Sequence, residues 1–167
     1  MVSSNLADWE REKLKRFWDP SKKLLATIRA YQQCKKSSRL VAFFYSKILV
    51  IRHRFWSVIS GAEIPLNSNI GGGLLIPHPN GIVIHPGSYV GVNCLIHQQV
   101  TIGVSRSSNK PPVIGGHVDI GAGAKIIGPI TIGDHVLIGA NAVVVKDVEA
   151  YSIVADVPAK VIGYTNQ

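Results

Sequence analysis

The stretch IGAGAKIIGPITIGDHVLIGANAVVVKDV, residues 120–148, advances in steps of six. Ile120, Ile126, Ile132, Ile138 and Val144 mark the beat, and Gly121, Gly133 and Gly139 follow three of them. Neither a helix nor an ordinary strand has this period. A solenoid coil with three short faces does, at three hexads per turn. The spaced aliphatic residue fills the interior, and the small residue after it permits a tight corner. The same beat runs back through Ile114, Ile102, Ile96, Val90 and Ile84, broken by one gap of twelve between Ile102 and Ile114. An earlier run, Ile64, Ile70, Ile76 and Ile82, keeps the period two residues out of phase. The repeat therefore predicts a mainly β solenoid from about Ile64 to Val148. The gap holds VSRSSNKPPV, which cannot continue a coil and reads as a protruding loop, 104–113. The end, YSIVADVPAKVIGYTNQ, is expected to cap the last coil and cover its open edge.

Before the repeat the chain changes character. Residues 1–60 carry 13 Lys/Arg against 4 Asp/Glu, whereas residues 61–167 carry 5 against 6, so the net charge of +8 lies entirely in the first part. Residues 1–61 are expected to form a basic α-helical segment, and 62–167 the β domain. Leu14, Phe17, Leu24 and Ile28 recur at helical spacing and predict helix over 5–33, interrupted or restarted at Pro20. CKKSSR (34–39) reads as a turn, and residues 40–59 as a more apolar helix ending near Gly61. The basic segment has three readings: a cap over the first coil, a docking element for an anionic membrane surface, or a nucleic-acid site. The last is disfavoured, because the aromatics cluster with apolar residues instead of spacing along a basic groove.

The start, MVSSNLADWEREK, has no apolar signal region, and no apolar run approaches the ~18–20 residues of a membrane span. Cys34 and Cys94 match no metal or redox spacing. These features lead to the expectation of a cytoplasmic protein, peripheral at the inner face of the membrane if the basic helices dock there, without a metal. His117 and His135, fourth in their hexads, read as surface residues. His53 belongs to the basic helix, and His85 follows a core aliphatic at a turn.

The repeat block, together with HPNGIVI, QQVTIG and VPAKVIG, resembles the hexapeptide-repeat acyltransferases over about residues 61–163, and within them the serine acetyltransferase branch. The resemblance implies a left-handed parallel β-helix with a short α-helical N-terminal segment. It also implies a homotrimer with active sites between subunits, and acetyl-CoA as cosubstrate. It places His78 at the catalytic histidine and Glu63 at the carboxylate that orients it. Acetyl-CoA is already activated, so the chemistry left to the protein is removal of a proton from an acceptor hydroxyl, a task suited to a neutral imidazole braced by a carboxylate. Gly103, Ala122 and Ala140 match positions where the pantetheine arm approaches the backbone. Lys125, Lys146 and Lys160 are candidates for the CoA phosphates.

The acceptor positions depart from the family. Pro77 stands where the branch has an acid, and Lys110 and Pro111 stand at its Arg–His pair, with His97 a second candidate in the acceptor cleft. A zwitterion needs a carboxylate for its ammonium and a cation for its carboxylate. Lys110 serves the second need, and no residue in view serves the first. The resulting expectation is an O-acetyltransferase acting on a sugar hydroxyl of a surface polysaccharide or its precursor. The alternatives are a serine O-acetyltransferase of cysteine biosynthesis and a catalytically silent repeat scaffold.

Overall fold

A computed structural model describes residues 2–34 and 39–165. The repeat forms a three-sided solenoid of parallel two- to four-residue strands. Face 1 stacks Asn69–Ile70, Tyr89–Val90, Val113–Ile114 and Thr131–Ile132. Face 2 stacks Leu95–Ile96, Asp119–Ile120, Leu137–Ile138 and Ser152–Ala155. Face 3 stacks Val83–Ile84, Thr101–Gly103, Lys125–Ile127 and Val143–Val144. In each strand the beat residue points inward and is buried: Val90, Ile114 and Ile132 on face 1, Ile96, Ile120 and Ile138 on face 2, Ile84, Ile102, Ile126 and Val144 on face 3. A second interior position lies two residues earlier, filled by Ile82, Cys94, Val100, Val118, Ala124, Val136 and Ala142. Burial pushes the Cys94 thiol up to about 12, which makes it an inert core group.

The phase slip now has a cause. Ile76 shares its level with Ile96, because Leu75 bridges Leu95, and Ile84 shares its level with Ile64, because Val83 bridges Glu63. Ile82 therefore occupies the second interior position rather than the beat, and the turn from face 2 to face 3 is two residues longer than a hexad. That longer turn contains His78. The other interruption, after Gly103, lies between faces 3 and 1, with a small Ser105–Ser108 bridge. The C-terminal strands pair antiparallel, Lys160–Tyr164 on Ser152–Ala155, and add a closing edge to face 2.

The N-terminal part departs from expectation. Helix α1 spans Pro20–Cys34 and α2 spans Arg39–Ser60, but residues 5–19 hold only one 3-10 turn, Trp9–Glu12. Asp19 explains the late start. Its Oδ1 accepts from the Lys22 N–H at 3.1 Å and the Ser21 hydroxyl at 2.8 Å, which caps a helix whose first residue is proline. Phe17 is 89 % exposed, so the spacing of Leu14 and Phe17 reflects no buried face. Residues 3–12 instead run as a strap over the corner between faces 1 and 2. Asn93 Nδ2 donates to the Ser3 and Leu6 carbonyls, and its Oδ1 accepts from the Asp8 N–H. Gly116 must lack a side chain, because a Cβ would lie 2.0 Å from the Ser4 oxygen. The turn expected at 34–39 falls largely on 35–38, outside the described residues.

The same corner corrects the reading of two histidines. His117 and His135 are half-buried and adopt positive φ (52° and 58°), as do Asn93 above them and Tyr151 below. Their Nδ1 atoms lie 2.8 Å apart, so one ring donates to the other, and His135 stacks on Tyr151 at 4.9 Å. Burial holds the His117 pKa below its ordinary value; Asp119 opposes that shift, and His135 and Arg11 reinforce it. A depressed folded-state pKa means that the unfolded chain binds the proton more readily. The stability tied to this ring is therefore present above about pH 6.5 and is lost as pH falls below it. Thermal melts should fall on acidification through that window, and less steeply for His117→Asn, since Asn accepts the left-handed backbone. Identical pH profiles would contradict this assignment.

Candidate active site

His78 sits at the apex of the long turn, exposed and flanked by Pro77 and Pro79. The turn is fixed from both sides. The Gly81 N–H donates to the Gly61 carbonyl at 2.7 Å, and the Gln99 N–H donates to the Asn80 carbonyl at 3.0 Å. Gln99 Nε2 also donates to Asn80 Oδ1 at 3.1 Å. Gly81 has φ +72°, and a Cβ there would lie 2.5 Å from the Gln99 amide, so only glycine lets the turn settle on the coil below. The two prolines and this clamp hold the imidazole outward from a rigid corner.

Several expected site residues share the corner. His97, Gln98 and Gln99 form the next rung, followed by Ala122 and then Ala140, with the Asn141 N–H donating to the Ala122 carbonyl. Lys125 begins the face 3 strand there, and its Nζ donates to the Gln99 carbonyl. Lys160 opens the closing strand at the end of the same ridge, where the Ala159 N–H donates to Val143 O. Gly103 instead ends a face 3 strand at the corner between faces 3 and 1, where the coil surface is open, the nearest atom to a built Cβ being Ile127 Cδ1 at 4.0 Å. Gln98, not singled out by its sequence position, has a buried Oε1 without a hydrogen-bond partner among the described residues. The QQVTIG motif was the available signal.

Other expected residues are not gathered. Lys110 lies on the loop between faces 3 and 1 and Lys146 follows face 3 at that same corner, so within one chain neither shares the His78 turn. Glu63 bridges Val83, the strand that leaves the turn, with its N–H donating to Ile82 O at 2.8 Å. Its side chain, however, opens on a cleft shared with His53, Arg54 and Ser57, and among the described residues no hydrogen bond or ion pair joins it to His78.

His78 opens instead on a cavity of about 600 Å³ between the solenoid and the two helices. Arg16, Asp19 and Lys22 line it from the start of α1, and Ser60 from the end of α2. Asp19 Oδ1 is engaged in capping, while Oδ2 has no protein partner among the described residues. The cavity is thus bordered by one acidic and two basic residues some sixty positions from His78 in the chain, the Lys22 Nζ donating to the Lys13 carbonyl at 2.7 Å. Among the described residues no cluster of three or more His, Cys, Asp or Glu side chains is placed to hold a metal ion.

The family model for the bacterial transferase hexapeptide (six repeats) matches residues 111–146. The serine acetyltransferase of Synechococcus elongatus is 37 % identical over 130 residues, covering 74 % of this chain and 53 % of that protein. That of Mycobacterium tuberculosis is 42 % identical over 111 residues, 65 % of this chain and 48 % of that protein. The chain spans about half the length of these relatives. Among crystal structures, serine acetyltransferase from Brucella abortus superposes with a TM-score of 0.74 at 33 % identity, over 92 % of this chain and 63 % of that one. The same enzyme in complex with coenzyme A gives 0.74 at 32 % identity, over 92 % and 62 %. The left-handed parallel β-helix implied by the resemblance is the fold of this chain. The expected polysaccharide character is overturned: the relatives and structures named here are serine acetyltransferases, which favours the alternative acceptor over a sugar hydroxyl. Pro77 leaves no carboxylate beside His78 in the sequence, whereas Asp19, which precedes α1, lines the same cavity from outside the repeat.

Proposed function

Because the chain carries the bacterial transferase hexapeptide repeat on a left-handed parallel β-helix, we propose that it is an acetyl-CoA-dependent O-acetyltransferase whose acceptor is L-serine. The observation that carries the reading is the joint placement of His78, Asp19, Arg16 and Lys22 around one cavity. His78 removes the hydroxyl proton as the oxygen attacks the thioester carbon, and the thiolate of CoA leaves. Glu63, the carboxylate expected to steady the imidazole, is paired by its backbone to the strand leaving the His78 turn, but its side chain opens on the His53 cleft, so the reading rests on His78 as base without it. Asp19 receives the serine ammonium, and Arg16 and Lys22 receive its carboxylate. Acetyl-CoA lies along Ala122 and Ala140 toward Gly103, with Lys125 and Lys160 near its phosphates. The working unit is a homotrimer, in which a neighbouring subunit brings its loop, with Lys110 and Lys146, toward the His78 corner that its own chain leaves open.

Release of CoA thiol on mixing the protein with acetyl-CoA and L-serine tests the reading directly; absence of saturable, serine-dependent release rejects it. The acceptor pocket has a sharper test. Asp19→Asn preserves the helix cap, since Asn caps as well as Asp. Removing the charge should lower kcat/KM for L-serine about 10- to 100-fold, the weight of a hydrogen bond to a charged group. Turnover of 3-hydroxypropionate, which lacks the ammonium, should be unaffected. Equal losses on both acceptors would remove Asp19 from substrate recognition.

A further inference from the structure

Helix α2 exposes an apolar seam that neither the solenoid nor α1 covers. Phe44, Ile48, Ile51, Phe55 and Val58 recur at alternating spacings of four and three, and their exposure runs from 51 % at Phe55 to 76 % at Val58. The opposite side of the helix carries its packing, through the buried Leu49, Trp56 and Ser60. The seam therefore spans the described length of the helix and is not residual core. Near its end Phe55 packs edge-on against the buried Trp56 at 4.9 Å, and Trp56 against Trp18 at 5.8 Å. Trp18 and Phe17 are themselves exposed. A continuous apolar surface of this extent marks an interaction site.

Charge decides the occupant. Arg54 flanks the seam on one side and Arg52 on the other, and α2 contains no Asp or Glu at all. Among the described residues neither Arg52 nor Arg54 takes part in an ion pair. Two copies of α2 laid seam to seam would set cation against cation with no acid to answer it, the reverse of the flank pattern that stabilises paired helices. An anionic bilayer surface answers both features: the seam enters the boundary between headgroups and acyl chains while the flanking cations meet lipid phosphates. No described helix is long and apolar enough to cross the bilayer, so the helix lies on it.

We propose that the exposed face of α2, extended by Trp18 and Phe17, docks this protein on anionic lipid membranes. The full chain should co-sediment with phosphatidylcholine vesicles containing phosphatidylglycerol, not with phosphatidylcholine alone, and should be released by high salt. Ile48→Ser with Ile51→Ser, both exposed positions remote from the His78 cavity, should reduce partitioning more than tenfold while leaving circular dichroism and acetyl transfer in solution unchanged. Arg52→Gln should reduce it about fivefold. Absence of binding to the anionic vesicles, or binding equal for wild type and the double serine variant, overturns the proposal. So does an assembly mass, measured by analytical ultracentrifugation, that drops in the double variant without any lipid binding by the wild type; that result assigns the seam to a second copy of this chain.

Discussion

His78→Ala is expected to lower acetyl transfer by about 10²–10⁴-fold, the contribution of a positioned general base. The substitution removes an exposed ring from a turn whose shape is set elsewhere. Pro77 and Pro79 restrict the backbone, Gly81 donates to Gly61 O, and Gln99 grips Asn80 through main chain and side chain. Thermal stability should therefore change little, and binding of CoA, measured by calorimetry, should persist. This combination separates a base from a structural histidine. A rate loss accompanied by a lowered melting temperature, or an unchanged rate, would reject the role. His97, one rung away at the same corner, is the internal control: if His97→Ala produced the larger loss, the base would be misassigned.

The parts of this molecule that were legible in the sequence are those where local spacing and tertiary structure share one period. The hexad beat states which side chains turn inward, and the strands place Ile96, Ile120 and Ile138 in one interior column. The two-residue phase slip before Ile84 was visible too, and it marks the lengthened turn that presents His78. What spacing could not convey is proximity between segments without a shared period. Asp19 reaches the His78 cavity because α1 starts there and packs over the first coil, a relation that no pattern in either segment encodes. The strap over residues 3–12 was hidden for the converse reason. Leu14 and Phe17 mimic a helical face, yet the segment is held by polar groups, Asn93 and Arg11 above all, that leave no periodic trace. The histidine ladder likewise arises from stacking of equivalent corners eighteen residues apart, so His117 and His135 looked like unrelated surface residues.

Glu12→Ala should be the most destabilising substitution in the N-terminal part, at about 3–5 kcal/mol, because it leaves a largely buried guanidinium without its counter-ion. Arg29 Nε and Nη2 donate to the two Glu12 oxygens at 2.9 and 2.8 Å, and the side chains are only 13 % and 8 % exposed. The same guanidinium donates to the Ile70 and Gly71 carbonyls at 2.7 and 2.6 Å, while Glu12 Oε1 accepts the Leu74 N–H at 3.0 Å. Strap, α1 and first coil therefore meet at one pair of side chains. In a chain of this length the loss corresponds to a fall in Tm of about 6–20 °C. Replacing both partners by apolar residues rescues many buried pairs, but here it should not, because three backbone groups of the first coil would lose their partners as well. A double variant as stable as wild type would show that water replaces these bonds. Limited proteolysis distinguishes local from global failure. If the pair fastens the strap, cleavage within residues 2–18 should accelerate in Glu12→Ala well below the melting temperature, while the solenoid, with its own continuous core, stays intact.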